Sequence, residues 1–341
     1  MAPAPVFPCG IIPDVMDRVV DVFIPTYNPG KRLLQILEML QKQTVQIRKV
    51  RIINTEKEGF DAMLKQNGMT QEKLIARFPF LSISHIGSQE FDHGGTRNLG
   101  FSLCEGADYV LTMTQDALPA DSFLIEKLLA PMEEENKSRT VAVSFARQLP
   151  NANAQVEEKL SREFNYPEKS RIKSLDDLSE LGIKTYFCSN VCALYRMDIF
   201  RKVSGFPGRA IFNEDMIYAS RAMKAGYQVS YTADALVYHS HSYTASQQFH
   251  RNFDIGVSQA QNPDVFGGIS SESEGVSYVR AVLSQMKKAH ELHNAPSFIV
   301  RCFCRFVGYR LGKKYEKLPR KWVIFCSSNR HYWDEDKAPD R

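Results

Sequence analysis

Four groups of polar residues in this 341-residue sequence have the types and the spacing that chemistry requires. They are Asp116 in LTMTQDALP, His93 and Arg97 in FDHGGTRNLG, the acidic pair Glu214 and Asp215, and His239 with His241 in VYHSHSYT. The first group offers a carboxylate ligand, the second a phosphate contact, the third a general base and the fourth two imidazole ligands. Each group also has an ordinary structural explanation, so its place in the fold must decide between the two.

Asp116 closes an apolar run, with no basic residue beside it in the sequence. Magnesium or manganese is typically held by one or two carboxylates together with substrate phosphates, so a single aspartate suits such a sparse site. Read alone, Asp116 is more simply a helix cap or a residue of a surface turn. His239 and His241 would face the same side of a strand, where they could ligate a metal, bind phosphate or line a pocket. With no third ligand clustered beside them in the sequence, they indicate a metal only weakly.

The two glycines of FDHGGTRNLG precede a predicted helix. Glycine lets a ligand come close to the backbone, and the N-terminus of a helix favours an anion. His93 and Arg97 can add charge-assisted hydrogen bonds to phosphate oxygens. The structural alternative is a glycine turn followed by a helix that Thr96 caps, and the same backbone could serve both purposes.

Glu214 and Asp215 begin another predicted helix, directly after Asn213. The helix dipole stabilises acidic residues at this position whether or not they take part in catalysis. The functional interpretation is that one of them is a general base. Because neighbouring residues of a helix point about a quarter-turn or more apart, the two carboxylates should not share one role.

The elements that must position these residues alternate between strands and helices over the first part of the chain. Strands are predicted over 19–24, 50–53, 81–86, 109–113 and 140–145, with helical patterns between them. This alternation predicts βαβ units and a mainly parallel sheet, in which ligands bind beyond the carboxyl ends of the strands. The polar segments that follow the strands should therefore meet at one edge of the sheet; they are Asn28, 54–56, 93–98 and 115–116.

The second half of the chain changes character along its length. Segment 151–179 is polar and is predicted to be a surface excursion, and short strands are predicted at 228–231 and 235–238. An amphipathic helix is predicted over 276–292, before a basic and aromatic tail. We predict an N-terminal extension (1–17), an α/β domain (18–265) and a C-terminal helical region (266–341).

Composition excludes several classes of protein. The chain is 43% hydrophobic and 24% charged, and its net charge of +4 does not indicate a global polyanion binder. Seven cysteines without paired CxxC clusters argue against a zinc ribbon or a disulfide scaffold, so we expect reduced and mostly buried thiols. Because there is no signal-peptide pattern and no long apolar run, we expect a cytoplasmic location. No Walker A motif and no GxGxxG follows a predicted strand.

Taken together, the motifs resemble the family 2 glycosyltransferases of the GT-A fold. VVDVFIPTYNPGKRL is similar to the family's first strand and turn, TQDALP to its DxD region, and GFPGRAIFNEDMIYASRAMKAGYQVSYTADALVYH to its acceptor-side block. The resemblance covers about residues 18–245, and the ordered series is specific although each motif alone is not. It implies a Rossmann-like, mixed and mainly parallel sheet flanked by helices. Within the family, HGGTRN and LGKKYEKLP are similar to bacterial rhamnosyltransferases that build cell-wall or surface polysaccharides.

The resemblance implies a role for each matching residue. Those expected to bind the sugar donor are Pro25, Thr26, Tyr27, Asn28, Asn54, Glu56 and Gln115 at the nucleoside, with His93, Arg97 and Asn98 at the diphosphate. Asp116 would bind Mn²⁺ or Mg²⁺, with His239 either as a further ligand or behind the ligands. Thr114 stands where the family's first DxD acid is found. Asp215 would be the catalytic base, and Glu214 and Arg221 would shape the acceptor site.

The resemblance also implies a reaction and its partners. The expected enzyme is an inverting transferase that moves a sugar, L-rhamnose from dTDP-rhamnose, to a polysaccharide or a polyprenyl-linked saccharide. The cation would stabilise the departing diphosphate while Asp215 removes a proton from the acceptor hydroxyl.

The tail over 295–333 suggests how such an enzyme would meet a lipid-linked acceptor. Eight basic residues lie between 301 and 322, interleaved with aromatic ones, and this pattern suits an anionic membrane surface. The alternative is a helix packed on the catalytic domain. Nucleic acid is not expected as a partner, because no recognised nucleic-acid-binding module is present.

Three alternatives remain at the level of sequence. The chain could be a catalytically inert GT-A-like sugar-binding or scaffold protein, which the threonine at position 114 favours. It could use a different nucleotide sugar. A nucleotidyltransferase would need a basic phosphate loop near the first strand, and PTYNPGKR is a poor match to one.

Overall fold

The computed structural model describes residues 18–134, 139–152, 154, 156–241, 243–268 and 272–334, so the predicted extension over 1–17 lies outside the described residues. The strands are β1 (Val20–Tyr27), β2 (Ile47–Thr55), β3 (Leu81–Ile86), β4 (Tyr109–Met113), β5 (Leu118–Pro119), β6 (Val141–Leu149), β7 (Arg171–Lys173), β8 (Cys192–Arg196) and β9 (Gln228–Tyr238). The helices are α1 (Arg32–Gln41), α2 (Lys57–Gln66), α3 (Gln71–Arg77), α4 (Gly95–Ser102), α5 (Leu124–Glu133), α6 (Val156–Asn165), α7 (Leu178–Leu181), α8 (Met197–Lys202), α9 (Glu214–Lys224), α10 (Ala245–Gln261), α11 (Pro263–Phe266), α12 (Glu272–Lys288), α13 (Ala295–Gly312) and α14 (Arg320–Cys326).

The described strands form one mixed sheet in the order β3-β2-β1-β4-β8-β6-β9-β5, with β7 paired to β9. Strands β3, β2, β1 and β4 are parallel neighbours, and so are β6 and β9. Strand β8 runs antiparallel between β4 and β6, and β5 and β7 are antiparallel to β9. The prediction of a mainly parallel sheet with flanking helices is confirmed, and the carboxyl ends of β1, β2 and β4 lie at one edge.

Both faces of the sheet are covered, as expected for strands that are apolar on both sides. Along β1, Val22 and Ile24 pack into one hydrophobic core while Phe23 packs into the other. A Cβ on Gly100 of α4 would overlap the ring of Phe23, so a glycine is needed where this helix lies directly on the strand. Helices on both faces therefore hold the strands rigidly beneath the edge where the polar segments meet.

Two differences between the structure and the sequence prediction concern the segments 151–179 and 228–238. The segment 151–179, predicted as a surface excursion, contributes α6 and also the short strand β7 at the edge of the sheet. The two strands predicted at 228–231 and 235–238 are one strand, β9, whose register against β6 shifts between Ala146 and Arg147. A continuous β9 carries the chain across the sheet and delivers His239 to the same edge as β4.

The C-terminal helices α10 and α13 pack against each other through glycines. A Cβ on Gly256 of α10 would overlap the carbonyl oxygen of Tyr309, and one on Gly312 of α13 would overlap that of Phe253. Only residues without a side chain let two helical backbones come this close. Among the described helices, none combines the length and the apolar character that a bilayer span requires. The six cysteines in the described residues are unpaired, and four of them are buried.

Candidate active site

The ends of β1, β2 and β4 are joined by side-chain amides. The Thr26 hydroxyl donates to Asn54 Oδ1 at 2.8 Å, and Asn54 Nδ2 donates to the Glu56 carbonyl at 2.9 Å. The Gln115 amide pairs with the main chain of Tyr27, accepting at 2.8 Å and donating at 2.9 Å. Asn54 is fully buried, so it holds its neighbours in place, whereas Tyr27 is exposed at the edge.

The backbone bends sharply where the chain leaves β1 and β2. Asn28 and Glu56 both have positive φ, 44° and 63°, and a Cβ on Gly59 would overlap the Asn28 amide oxygen. The Glu56 carboxylate accepts from the Ser88 N–H at 2.7 Å, and hydrogen bonding to Ser88 lowers the pKa of this group. With Pro25 half-buried beside them, these residues form the wall where the nucleoside contacts are predicted. The individual contacts stay predictions.

One carboxylate and two imidazoles meet where β4 and β9 end. Asp116 Oδ2 lies 3.0 Å from His241 Nε2, and Asp116 Oδ1 lies 3.5 Å from His239 Nε2. The two imidazole rings are 4.5 Å apart, and one ligand atom from each of the three residues lies within 4.8 Å of the others. Asp116 is thus the third ligand that the HxH pair lacked in the sequence. We call these three residues the ligand triad.

A chain of hydrogen bonds fixes the proton on the His239 ring. Gln148 Nε2 donates to the Tyr166 hydroxyl at 2.6 Å and to Ser189 Oγ at 2.9 Å, so the Gln148 oxygen faces His239 Nδ1, 2.9 Å away. That oxygen can only accept, so Nδ1 carries the hydrogen and the Nε2 lone pair points toward Asp116. Burial lowers the pKa of His239 to about 3, which keeps the ring neutral.

The ligand triad has the chemistry of a cation site. Burial acts to raise the pKa of Asp116, but the hydrogen bond from His241 and the neighbouring rings hold it well below its ordinary value. An ionised carboxylate oxygen and the lone pair of His239 Nε2 therefore face each other without a proton between them. A divalent cation would satisfy both, and a carboxylate with two imidazoles is a usual ligand set. The three residues therefore fit a divalent cation.

The acidic pair at the start of α9 has two different environments. Glu214 accepts from Asn190 Nδ2 at 2.9 Å and lies 3.3 Å from the Arg97 guanidinium, and both partners of this ion pair have side chains only 8% exposed. The Asp215 carboxylate accepts from the main-chain N–H groups of Asn190, at 3.1 Å, and Met216, at 2.8 Å. Of these two adjacent residues, Glu214 is therefore engaged in an ion pair, whereas Asp215 is half-buried.

The surroundings of Asp215 suit a general base. Burial, and then the negative charge of Glu214, raise the pKa of Asp215 to about 7. For Glu214 burial has the same tendency, but the charge of Arg97, the neighbouring His93 and the hydrogen bonds from Asn190 and the main chain together outweigh it and lower the pKa. A general base works best when its pKa lies near the working pH, so Asp215 rather than Glu214 has the required property.

The segment FDHGGTRNLG is organised differently from the sequence prediction. The Asp92 carboxylate accepts from the N–H groups of Gly94 and Gly95 at 2.9 and 2.7 Å, and from that of Ala210 at 3.1 Å. The anion at the start of α4 is therefore the chain's own aspartate. The prediction that Thr96 caps this helix is wrong, because its hydroxyl accepts from the Asp92 N–H at 3.1 Å.

The glycines of this segment make room for protein rather than for a ligand. A Cβ on Gly94 would overlap the carbonyl oxygen of Pro207, and one on Gly95 would lie 3.0 Å from that of Gly208. The segment before α9 thus packs directly on the start of α4. This contact brings the segment that leads to Asp215 next to the segment that carries His93 and Arg97.

His93, Arg97 and Asn98 are engaged within the protein. Burial lowers the pKa of His93 to about 4, so its ring is neutral and cannot supply the positive charge predicted for a phosphate contact. Arg97 donates to the His93 carbonyl at 2.9 Å in addition to its ion pair. Asn98 pairs with the main chain of Phe206, donating at 2.9 Å and accepting at 3.0 Å. Their roles toward the diphosphate stay predictions.

Arg221 lies in the last turn of α9, away from the start of the helix where Asp215 is found. Its guanidinium donates to the Gly205 carbonyl at 3.4 Å. This bond ties α9 to the start of the segment that follows α8. A direct role of Arg221 at the acceptor site stays a prediction.

Comparison with known proteins bears on the family to which the chain belongs. The model of the family described as glycosyl transferase family 2 matches residues 21–204. The O-antigen chain rhamnosyltransferase RfbN of Salmonella typhimurium strain LT2 is 36% identical over 322 residues, which is 92% of this chain and 96% of that protein. The O-antigen chain rhamnosyltransferase WbaN of Salmonella anatum is 36% identical over 321 residues, which is 92% of this chain and 95% of that protein.

The fold has a counterpart among solved structures. The mannosyltransferase PcManGT from Pyrobaculum calidifontis, solved with GDP-Man and Mn²⁺, superposes with a TM-score of 0.52 at 14% identity, covering 95% of this chain and 90% of that one. At this identity the likeness bears on the fold alone, and it agrees with the GT-A prediction. The family model matches more than half of the chain, and the two relatives are similar to it along nearly its whole length. The protein therefore belongs to the family 2 glycosyltransferases.

Proposed function

We propose that this glycosyltransferase is an inverting, metal-dependent enzyme that transfers L-rhamnose from dTDP-rhamnose to a growing surface polysaccharide. The observation that carries the mechanism is Asp215, a half-buried carboxylate with its pKa raised to about 7 at the start of α9. The choice of rhamnose is supported by the relatives, whose names describe O-antigen chain rhamnosyltransferases.

The cation would be held by the ligand triad of Asp116, His239 and His241. When bound, it supplies the positive charge that stabilises the departing nucleoside diphosphate. Two imidazoles beside one carboxylate favour manganese over magnesium, since magnesium prefers oxygen ligands. The second imidazole also offers a reason why Thr114 can stand where relatives of this fold carry an acid.

The protein's own residues perform the proton transfer. Asp215, held by the N–H groups of Asn190 and Met216, accepts the proton of the acceptor hydroxyl as that oxygen attacks the anomeric carbon. Glu214 is bound to Arg97, so one carboxylate at this position remains for catalysis. A single base and a single displacement invert the configuration of the transferred sugar.

A panel of sugar donors tests the assignment. We expect dTDP-rhamnose to be turned over at least about tenfold faster than UDP-glucose, GDP-mannose or dTDP-glucose, because a site built to hydrogen-bond one set of hydroxyls rejects the others. The measurement is release of nucleoside diphosphate in the presence of manganese and a saccharide acceptor. Faster turnover of another donor would overturn the assignment to rhamnose and leave glycosyl transfer intact.

We further propose that the C-terminal helices bring the enzyme to the cytoplasmic face of a membrane, where a polyprenyl-linked acceptor would lie. On α13 the side chains of Ile299, Phe303 and Phe306 repeat at i, i+4 and i+7, and Phe303 is 65% exposed. On α14, Trp322 and Phe325 are exposed as well, beside Lys321. Exposed apolar side chains next to basic ones suit the surface of an anionic bilayer.

Two of the eight basic residues of the tail face the protein instead. Arg301 forms an ion pair with Glu157, and the Arg305 guanidinium lies 5.3 Å from the centre of the Tyr278 ring. We expect the protein to sediment with vesicles containing phosphatidylglycerol and to remain in solution with pure phosphatidylcholine. The double variant F303S/F306S should lose this sedimentation, whereas R280A, a charge change on an exposed residue of α12, should keep it. Equal sedimentation of all three proteins would refute the membrane surface.

A further inference from the structure

A pocket of about 500 Å³ opens beside strand β7, between the sheet and the segments 165–170 and 181–187. We call it the β7 pocket. Its lining includes Phe145, Lys169, Lys173, Lys184, Phe187 and Tyr231. Its volume lies within the range for small-molecule sites. Neither Asp215 nor any residue of the ligand triad is among the described residues that line it, so it is distinct from the candidate active site.

One wall of the β7 pocket is aromatic and belongs to the sheet. Phe145 of β6 is the partner of Tyr231 of β9, and Tyr231 is the partner of Arg171 of β7, so these side chains lie on one face. The centre of the Phe145 ring lies 5.3 Å from that of Tyr231 and 5.7 Å from that of Phe187. Aromatic rings that hold one another in place form a rigid apolar surface, which suits the apolar part of a ligand.

The charged residues that line the β7 pocket are all basic. They are Lys169, Arg171, Lys173 and Lys184. Arg171 forms ion pairs with Asp177 and Glu180, each at 2.7 Å. Lys169 is exposed, and no carboxylate of the described residues forms an ion pair with it. The chain thus neutralises only part of the positive charge at this pocket, and the remainder attracts an anion.

Lys173 is a buried cation, only 5% exposed. Its ammonium group donates to the carbonyl oxygens of Lys184, at 3.0 Å, and Phe187, at 2.5 Å, and lies 5.3 Å from the centre of the Phe145 ring. An ammonium group has three N–H donors, so one remains for a further acceptor. Burial lowers the pKa of Lys173 to about 8, because these contacts do not replace all of the lost hydration. A bound anion would offset this cost.

The aromatic wall separates the β7 pocket from the support of the ligand triad. Tyr166 lies behind this wall, with its ring centre 5.8 Å from that of Phe187 and 6.3 Å from that of Tyr231. Its hydroxyl accepts from Gln148, the residue that orients His239. A ligand in the pocket would therefore lie one aromatic layer away from this hydrogen-bond chain.

We propose that the β7 pocket binds a small carboxylic acid, with its apolar body against the aromatic wall and its carboxylate beside Lys169 and Lys173. One remaining N–H on a buried ammonium group calls for one anionic group, which a carboxylate supplies. The nucleotide sugar is not the occupant, because the residues expected to bind it lie at the ends of β1, β2 and β4.

Two probes that differ only in charge test this assignment by calorimetry. They are 2-naphthoate and 2-naphthamide, which share the ring system and the shape of the polar group. Titrations in EDTA keep a metal at the ligand triad from attracting the carboxylate. We expect the wild type to bind naphthoate at least about tenfold more tightly than the amide, because charge-assisted hydrogen bonds are the stronger ones.

Three lysine variants locate the carboxylate. K173M should bind both probes equally. K169M should lose at least about threefold of the preference for naphthoate, the smaller effect being usual for an exposed charge. The matched control is K49M, the same change at an exposed lysine of β2 in the opposite half of the sheet, and it should retain the preference in full.

Two further variants locate the apolar body. L181W places a larger side chain in the pocket lining and should weaken both probes by at least about tenfold. F303S/F306S removes exposed apolar side chains of α13, another surface that could attract a naphthalene ring, and should leave both affinities unchanged. Thermal melting shows which variants are folded. If K173M is not, the comparison is made with K169M, whose residue is exposed, and with L181W, whose residue is half-buried.

Four results would each overturn the inference. They are a wild type without a preference for naphthoate, a full preference in K169M, wild-type affinities in L181W, and a loss of binding in F303S/F306S, which would place the probe on α13. The titrations contain no sugar donor, so their outcome does not depend on glycosyl transfer.

Discussion

Replacing Asp215 by asparagine is expected to lower turnover at least about 100-fold while the affinity for the nucleotide sugar stays within about twofold. The amide keeps the size of the side chain, and its single oxygen can still accept from one of the two N–H groups that bond the carboxylate, but it cannot take a proton. Rates of nucleoside diphosphate release and calorimetric titration of the sugar donor measure the two quantities. An equal loss of binding and turnover would refute the role of Asp215 as the base.

The pH dependence of turnover tests the role of Asp215 independently. A base with a pKa of about 7 is protonated below that pH, so turnover should rise with pH through about 7 and then level off. E214Q removes the neighbouring negative charge, which contributes to raising that pKa, so the rise should move to lower pH. A wild-type profile that is already level from pH 5 upward would contradict the assignment.

The second large effect is expected at the ligand triad. D116A should reduce manganese affinity by at least about tenfold and turnover with it, because it removes the only carboxylate of the triad. H241A should act in the same direction through the loss of one imidazole. The matched control is H293A, whose side chain is 71% exposed and lies on the C-terminal helices. Binding is followed by the electron paramagnetic resonance signal of free manganese, and turnover by nucleoside diphosphate release.

Two other results would contradict a catalytic metal at the ligand triad. If EDTA leaves turnover unchanged and D116A retains wild-type rates, the triad is not a catalytic metal site. Retained turnover in D116A together with lost activity in EDTA would place the metal elsewhere.

The strands of the sheet were predictable because their signal is local. Strands β3 and β4 occupy the ranges predicted from short apolar runs, and the break between α2 and α3 falls at Gly68, which has a φ of 65°. Strand β7 was missed because three residues, Arg171 to Lys173, carry no apolar alternation that could mark them. Its pairing with β9 is a tertiary contact between segments far apart in the sequence.

The site was predictable in its location but less so in its contacts. Asp116 could be predicted as a ligand because it follows a strand, and His241 because of the HxH spacing. The sequence does not show that they lie close together, because this depends on β9 ending at the same edge of the sheet as β4. Nothing local marks Gln148 as the group that fixes the His239 proton. Asp92 was overlooked although it precedes the two glycines, because Gly-Gly before a helix is usually read as a ligand loop. The Arg97–Glu214 ion pair joins segments that no pattern connects.

The contact between α10 and α13 bears on how enzymes of this kind can diversify. Helix α10 begins shortly after His241, and its backbone meets that of α13 at glycines on both helices. Any residue larger than glycine at Gly256 or Gly312 would push the two backbones apart. In a chimaera of two related enzymes joined near residue 265, α10 and α13 would come from different proteins. Their contact surfaces would then not match. The two helices therefore form a matched pair, and the tail cannot be exchanged alone without losing this contact.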